Sequence, residues 1–155
     1  MIFALQFLVG WVYGHVFEYI AHRFLLHNRK KFKTVFRHHF GQHHNVARKN
    51  NMYDENYLKL FNKNNLFEPV SLILLLVLHI PTAFIAPGFF CAIVWSLTLY
   101  FFVHRKSHID IEWGKKWLPW HYEHHMGKNQ HENWGVRLPI VDKIAISFVN
   151  RKKND

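Results

Sequence analysis

The chain has 155 residues, enough for one domain and little more, of which 50% are hydrophobic and 14 are histidine. Its single cysteine, Cys91, lies in an apolar run, which excludes an intrachain disulfide and a thiolate metal site. A net charge of +10 would suit nucleic acid, but all 20 Lys and Arg fall within 23–63 or 105–153. Basic residues confined to the segments between apolar runs follow the positive-inside pattern of membrane proteins, argue against nucleic acid, and suit anionic lipid head groups.

The first apolar run, MIFALQFLVGWVYGHVFEYI over 1–20, is long enough to cross a bilayer at about 20 residues. It lacks the basic start and small-residue cleavage site of a secretory signal, so it is expected to stay attached. His15 and Glu18 interrupt its apolar character. Residues 22–66 form a polar, basic segment rich in histidine. Within it, Asn50 to Asn65 interleaves Tyr53, Tyr57 and Phe61 with asparagines, a pattern for a short amphipathic helix at the interface or for a linker.

A second apolar stretch covers 67–103, too long for one span and about right for two. Pro81, Pro87 and Gly88 punctuate it, and the simplest hairpin turns at Ala86-Pro87-Gly88. The chain is thus expected to be an all-α integral membrane protein, one domain over 1–155. It would have about three spans, one plus a hairpin, and a cytoplasmic helical cap made of 22–66 and 104–155.

Four histidine clusters fall on that one side: His22 and His27; His39, His43 and His44; His104 and His108; His121, His124 and His125. They form a loose repeat, in which an apolar span ends in a His pair and, after 11 or 12 intervening residues, a His is followed closely by His-His. His104 and His108 are four apart, and His121, His124 and His125 are spaced i, i+3, i+4, so each set shares a helix face. His22 and His27 are five apart, roughly 140° around an ideal helix, so they serve different ions or lie where the helix unwinds. Ten histidines suit two metal ions. Imidazole accepts iron, zinc, copper or nickel, so spacing alone leaves the metal open.

HX4H, HX3HH, HX3H and HX2HH in this order around a hydrophobic hairpin resemble the fatty acid hydroxylase / sterol desaturase superfamily. EYIAHRFLLH is similar to the first box of fatty acid 2-hydroxylases, and WHYEHHMGKNQHENWGVRLPIVDKI to the family's closing segment. The compact size and hairpin also resemble bacterial carotenoid hydroxylases. The resemblance covers about residues 15–146. It implies a membrane enzyme that uses two iron ions, O2 and external electrons to oxidise an unactivated C–H bond of a membrane lipid, a fatty acyl chain being favoured. Zinc could replace iron in a purified form.

The implied ligands are His22, His27, His39, His43, His44, His104, His108, His121, His124 and His125. The second box offers His38 as well, but His39 has the better spacing. Glu18, one turn before His22, is expected either to accept a hydrogen bond from a ligand imidazole or to make a structural pair. Asp142, with Asn133, Trp134 and Gly135, matches the family tail and either orients a ligand histidine or caps a helix. His15, His38, His79 and His131 are expected to be bystanders.

With no cytochrome b5 or ferredoxin sequence among the 155 residues, the electron donor is expected to be a separate protein of that kind. The histidine boxes would face the cytoplasm, from the inner membrane in a bacterium or the endoplasmic reticulum in a eukaryote. A lipid desaturase or carotenoid hydroxylase is the alternative within the superfamily. A metal-binding membrane protein or transporter is the alternative outside it, disfavoured because transporters place ligands near the bilayer midplane.

Overall fold

The computed structural model describes residues 1–146, so the end of the 104–155 segment lies outside the described residues. The described residues are helical throughout their regular elements, with no strand. Helix α1 (Ile2–Ile20) runs without a break into a π-helical turn, Ala21–Leu26. A short α2 (Lys33–Phe36) leads into a second π-helical stretch, Arg37–His44, and α3 (Asn45–Lys49) completes that arm.

The apolar stretch forms α4 (Phe67–His79), a short α5 (Thr82–Ile85) and the long α6 (Pro87–Ile109). Pro87 starts α6 because its fixed φ and missing N–H suit a first helical position. The turn therefore occupies 80–86 rather than 86–88, since Pro81 stops α4 early. In the other direction, α6 passes beyond 103 and carries His104 and His108 as part of one straight element. Among the described residues, α6 alone is long and apolar enough to cross a membrane. α4 is shorter, at thirteen residues, and Gln6, His15 and Glu18 dilute α1.

α1 packs along α6, and α4 leans on α6 from another side. The α1–α6 approach is close: a Cβ on Gly10 would lie 2.8 Å from the Phe89 carbonyl oxygen, and one on Gly88 would lie 2.3 Å from that of Phe3. Small residues at such a crossing let two backbones touch, as in lipid-embedded helix pairs. The outward faces stay apolar, with Leu5, Leu8, Val12, Leu74, Val77, Leu78, Trp95 and Phe102 exposed.

Residues 50–65 do not form an amphipathic helix. They contain one 3-10 turn, Glu55–Leu58, and bury Met52 and Tyr57 against the histidine helices. The apolar residues there are spaced for insertion into the protein rather than for a continuous helical face. α7 (Ile111–Trp117) and α8 (Pro119–Met126) bring the last cluster back beneath α6, and a further helical turn begins at residue 140.

Candidate metal centre

The ten histidines come together in the interior, drawn from four segments of chain. In one group, the nitrogens of His22, His27, His39, His44 and His124 lie within 4.8 Å of one another; in a second, the same holds for His43, His104, His108 and His125. His121 sits beside the second group, its Nε2 3.3 Å from that of His108 and its ring 4.6 Å from that of His125.

Local helix geometry explains the first group. A π-turn closes i→i+5 hydrogen bonds, so residues five apart align on one face. The His27 N–H donates to the His22 carbonyl at 3.2 Å, and His39 and His44 are likewise five apart within the second π-stretch. The 140° separation of an ideal α-helix does not arise, and His22 and His27 enter the same group. In the second half of the chain, α-helical geometry does the same for residues four apart, His104 with His108 and His121 with His125.

One histidine of each His-His pair crosses over. His43 faces the group built by the second half, and His124 faces the group built by the first. The two groups meet where the His44 and His125 rings stack at 4.1 Å.

Outer partners fix the tautomers. His22 Nδ1 donates to the Trp134 carbonyl at 2.6 Å, His108 Nδ1 to that of Met52 at 2.9 Å, and His124 Nδ1 to that of Glu132 at 2.6 Å. His104 Nδ1 donates to Glu68 at 2.9 Å, and Glu68 also accepts from the Tyr57 hydroxyl at 2.7 Å. A neutral imidazole that donates through Nδ1 keeps a lone pair on Nε2. The Nε2 atoms of His22 and His39 are nonetheless 2.9 Å apart, and those of His43, His104 and His124 are buried without a partner. Lone pairs gathered without donors are costly in a protein interior. A cation between them satisfies all of them at once, so the residues fit a metal.

Electrostatics agree. Burial, reinforced by neighbouring imidazoles, holds His22, His39, His44, His121 and His125 well below the usual histidine pKa, and burial takes His124 down to about 4. The neutral imidazole is the form that binds metal.

The sequence profile of the fatty acid hydroxylase family matches residues 7–147. The chain belongs to the fatty acid hydroxylase family. That membership implies an oxidoreductase acting on lipid, and the clustered histidines are compatible with the metal such an enzyme needs. No curated protein and no solved structure matches the chain.

In this member of the family, the carboxylates flanking the boxes act through the 127–139 loop. Glu18 does not touch a ligand imidazole. It accepts from the backbone N–H groups of Val136 and Arg137 at 2.5 and 3.1 Å and pairs with Arg137 Nε at 2.6 Å. Arg137, three residues beyond Trp134, claims this carboxylate first. Asp142 touches no histidine either. It accepts from the N–H groups of Trp134 and Gly135 at 2.8 and 2.9 Å, and so holds the loop whose Trp134 carbonyl orients His22.

Glu68, Asp54 and Tyr57 went unrecognised in the sequence. Asp54 lies 3.7 Å from His43 Nδ1, and Tyr57 Oη 3.3 Å from the same atom. Glu68 carried a signal: it is the one acidic residue in 64–104, and a carboxylate at the edge of an apolar run needs a partner.

Apart from His121, four histidines stay outside both groups. His15 packs edge-on against Trp11, His38 bonds Gln42 and stacks on Phe67, and His79 lies between Tyr13 and the Leu75 carbonyl. His131 is exposed but stacks on Phe40, with its ring 5.4 Å from that of His27.

The reach of Asp142 is measurable. Asp142→Ala should leave the fold in place and weaken metal retention by about 10- to 100-fold, as for other residues that orient a ligand. Competition with a chelator measures it. Asp142→Asn keeps one acceptor oxygen and should fall between the two.

Proposed function

We propose that this fatty acid hydroxylase family member is an O2-dependent lipid hydroxylase with a pair of iron ions held by its ten clustered histidines. The observation that carries this reading is an apolar cavity of about 490 Å³ between α1, α4 and α6, reaching from His22 and His39 of the first group to Tyr13 and His79. Its size is that of a small-molecule site. Its walls, among them Phe17, Leu25, Leu72, Leu75 and Leu97, suit an alkyl chain.

Iron bound by the histidines would supply the reductive activation of O2 that breaking an unactivated C–H bond requires. The chain's own residues do the rest. The carbonyls of Trp134, Met52 and Glu132 and the Glu68 carboxylate keep ligand imidazoles in the metal-binding tautomer, and the apolar walls exclude water and hold the chain beside His22 and His39. Electrons would come from a cytochrome b5- or ferredoxin-like partner.

We place α1, α4 with α5, and α6 in the bilayer as three crossings, with both basic segments and the histidines on the cytoplasmic side. The exposed apolar faces of these helices and the absence of Lys and Arg from 1–22 and 64–104 support this arrangement. The substrate would then enter from the membrane, and a fatty acyl chain suits a cavity of this size and apolar lining.

Iron-loaded protein in lipid nanodiscs, given a reductant system, 18O2 and a panel of acyl lipids, should yield a product with one added 18O by mass spectrometry. Loss of two hydrogens without oxygen gain would assign a desaturase instead. Metal flux across vesicles with no lipid product would replace the enzyme reading with a transporter.

A further inference from the structure

Two residues that line the apolar cavity each carry a buried polar atom with no hydrogen-bond partner. Arg137 is 5% exposed; its Nε pairs with Glu18 at 2.6 Å, while its Nη1 is buried without a partner. Ser96, also 5% exposed, has a buried Oγ with no partner. Both residues line the cavity. Both residues also sit against Gly14, where α1 packs so closely that a Cβ would fall 2.7 Å from Ser96 Oγ and 3.4 Å from Arg137 Nη2.

Two orphaned donors on neighbouring cavity-lining residues call for an acceptor, since unmade hydrogen bonds in such a place are costly. Glu18 already offsets the charge of Arg137, so the missing acceptor is an uncharged oxygen rather than a second carboxylate. We propose that Arg137 Nη1 and Ser96 Oγ form a subsite for a carbonyl oxygen of the lipid, an ester or amide carbonyl at one point of an otherwise alkyl substrate. This rests on the hydroxylase reading for its substrate but concerns residues distinct from the metal ligands.

The subsite has a consequence for where oxidation falls. Gly14 lies eight residues before His22 on one continuous helix, so the carbonyl would be held about 12 Å along that axis from the first histidine group. The oxidised carbon is then counted from the carbonyl, not from the methyl end, and does not move when the chain is lengthened.

The test uses metal-loaded protein in nanodiscs with methyl palmitate carrying a 13C-labelled carbonyl, and n-octadecane as the probe without an acceptor. Wild-type protein should bind the ester about tenfold more tightly than the alkane and lower the labelled carbonyl stretch by hydrogen bonding. Ser96→Ala, and separately Arg137→Lys, which keeps a cation beside Glu18, should abolish most of that preference and of the shift, with alkane affinity unmoved. An unshifted carbonyl in the wild type overturns the proposal. So does a shift retained in both variants, an equal fall of ester and alkane binding, or tighter binding of palmitate anion than of the ester. If the ester binds with a shifted carbonyl yet is never oxidised with O2 and reductant, the hydroxylase reading fails and the subsite stands.

Discussion

With an ion in each histidine group, as proposed, a His124→Ala protein should lose the one among His22, His27, His39 and His44 and keep the one beside α8, the helix to which His124 itself belongs. The expectation follows from the crossing of His124 into the first group and of His43 into the second. If each half of the chain built its own site, His124→Ala would instead empty the site of the second half. Double variants separate the two arrangements, because substitutions that destroy one site do not add and those at independent sites do. His124→Ala with His27→Ala should retain about one ion of two, whereas His124→Ala with His108→Ala should retain almost none. Metal content by mass spectrometry reads both, and the reverse pattern would refute the crossing. If both ions serve one reaction, as proposed, lipid oxidation should fall at least a hundredfold in every one of these variants.

Acid should destabilise the metal-free protein steeply. In the unfolded chain each imidazole takes up a proton near pH 6.5, whereas burial keeps His22, His39, His44, His121 and His125 neutral in the fold until far lower pH. The unfolded chain therefore binds more protons as pH drops below about 6.5, and each such histidine removes up to about 1.4 kcal/mol of stability per pH unit. For His124, whose pKa is about 4 in the fold, the loss reaches about 3 kcal/mol by pH 4. Several acting together exceed the stability of an ordinary domain. Above about pH 7 these groups are neutral in both states and contribute no slope. Urea titrations followed by circular dichroism across this range measure it, and bound metal should move the acid transition to lower pH. Constant stability between about pH 7.5 and 5 would refute the account.

Much of this was legible in the residues. Histidine spacing picks out ten that converge and four that do not, because spacing reports which side chains share a face of one element. Spacing is silent on which element stands opposite, so the exchange of His43 and His124 was hidden. Glu18 makes the structural pair that was one of its two readings, but its partner was hidden for the same reason, since Arg137 lies 119 positions away. Segment 50–65 misled through its aromatics, which share no helical face: Tyr57 is buried against the histidine helices, while Tyr53 and Phe61 stay exposed. The hairpin boundaries shifted because Pro81 ended α4 before Ala86 was reached, while α6 kept winding past the point where the sequence turns polar.

The π-turns carry a consequence for how the chain tolerates changes of length. Each box of the first half is one residue longer than its counterpart in the second, HX4H against HX3H and HX3HH against HX2HH. A π-turn holds the extra residue and still returns the second imidazole to the same face. The widened turns at Ala21–Leu26 and Arg37–His44 thus act as expansion joints, which absorb an insertion inside the helix instead of passing it on as a rotation of everything downstream. Removing one residue between His22 and His27 would tighten the joint to an ordinary α-turn with the histidines four apart, the arrangement that His104 and His108 already use.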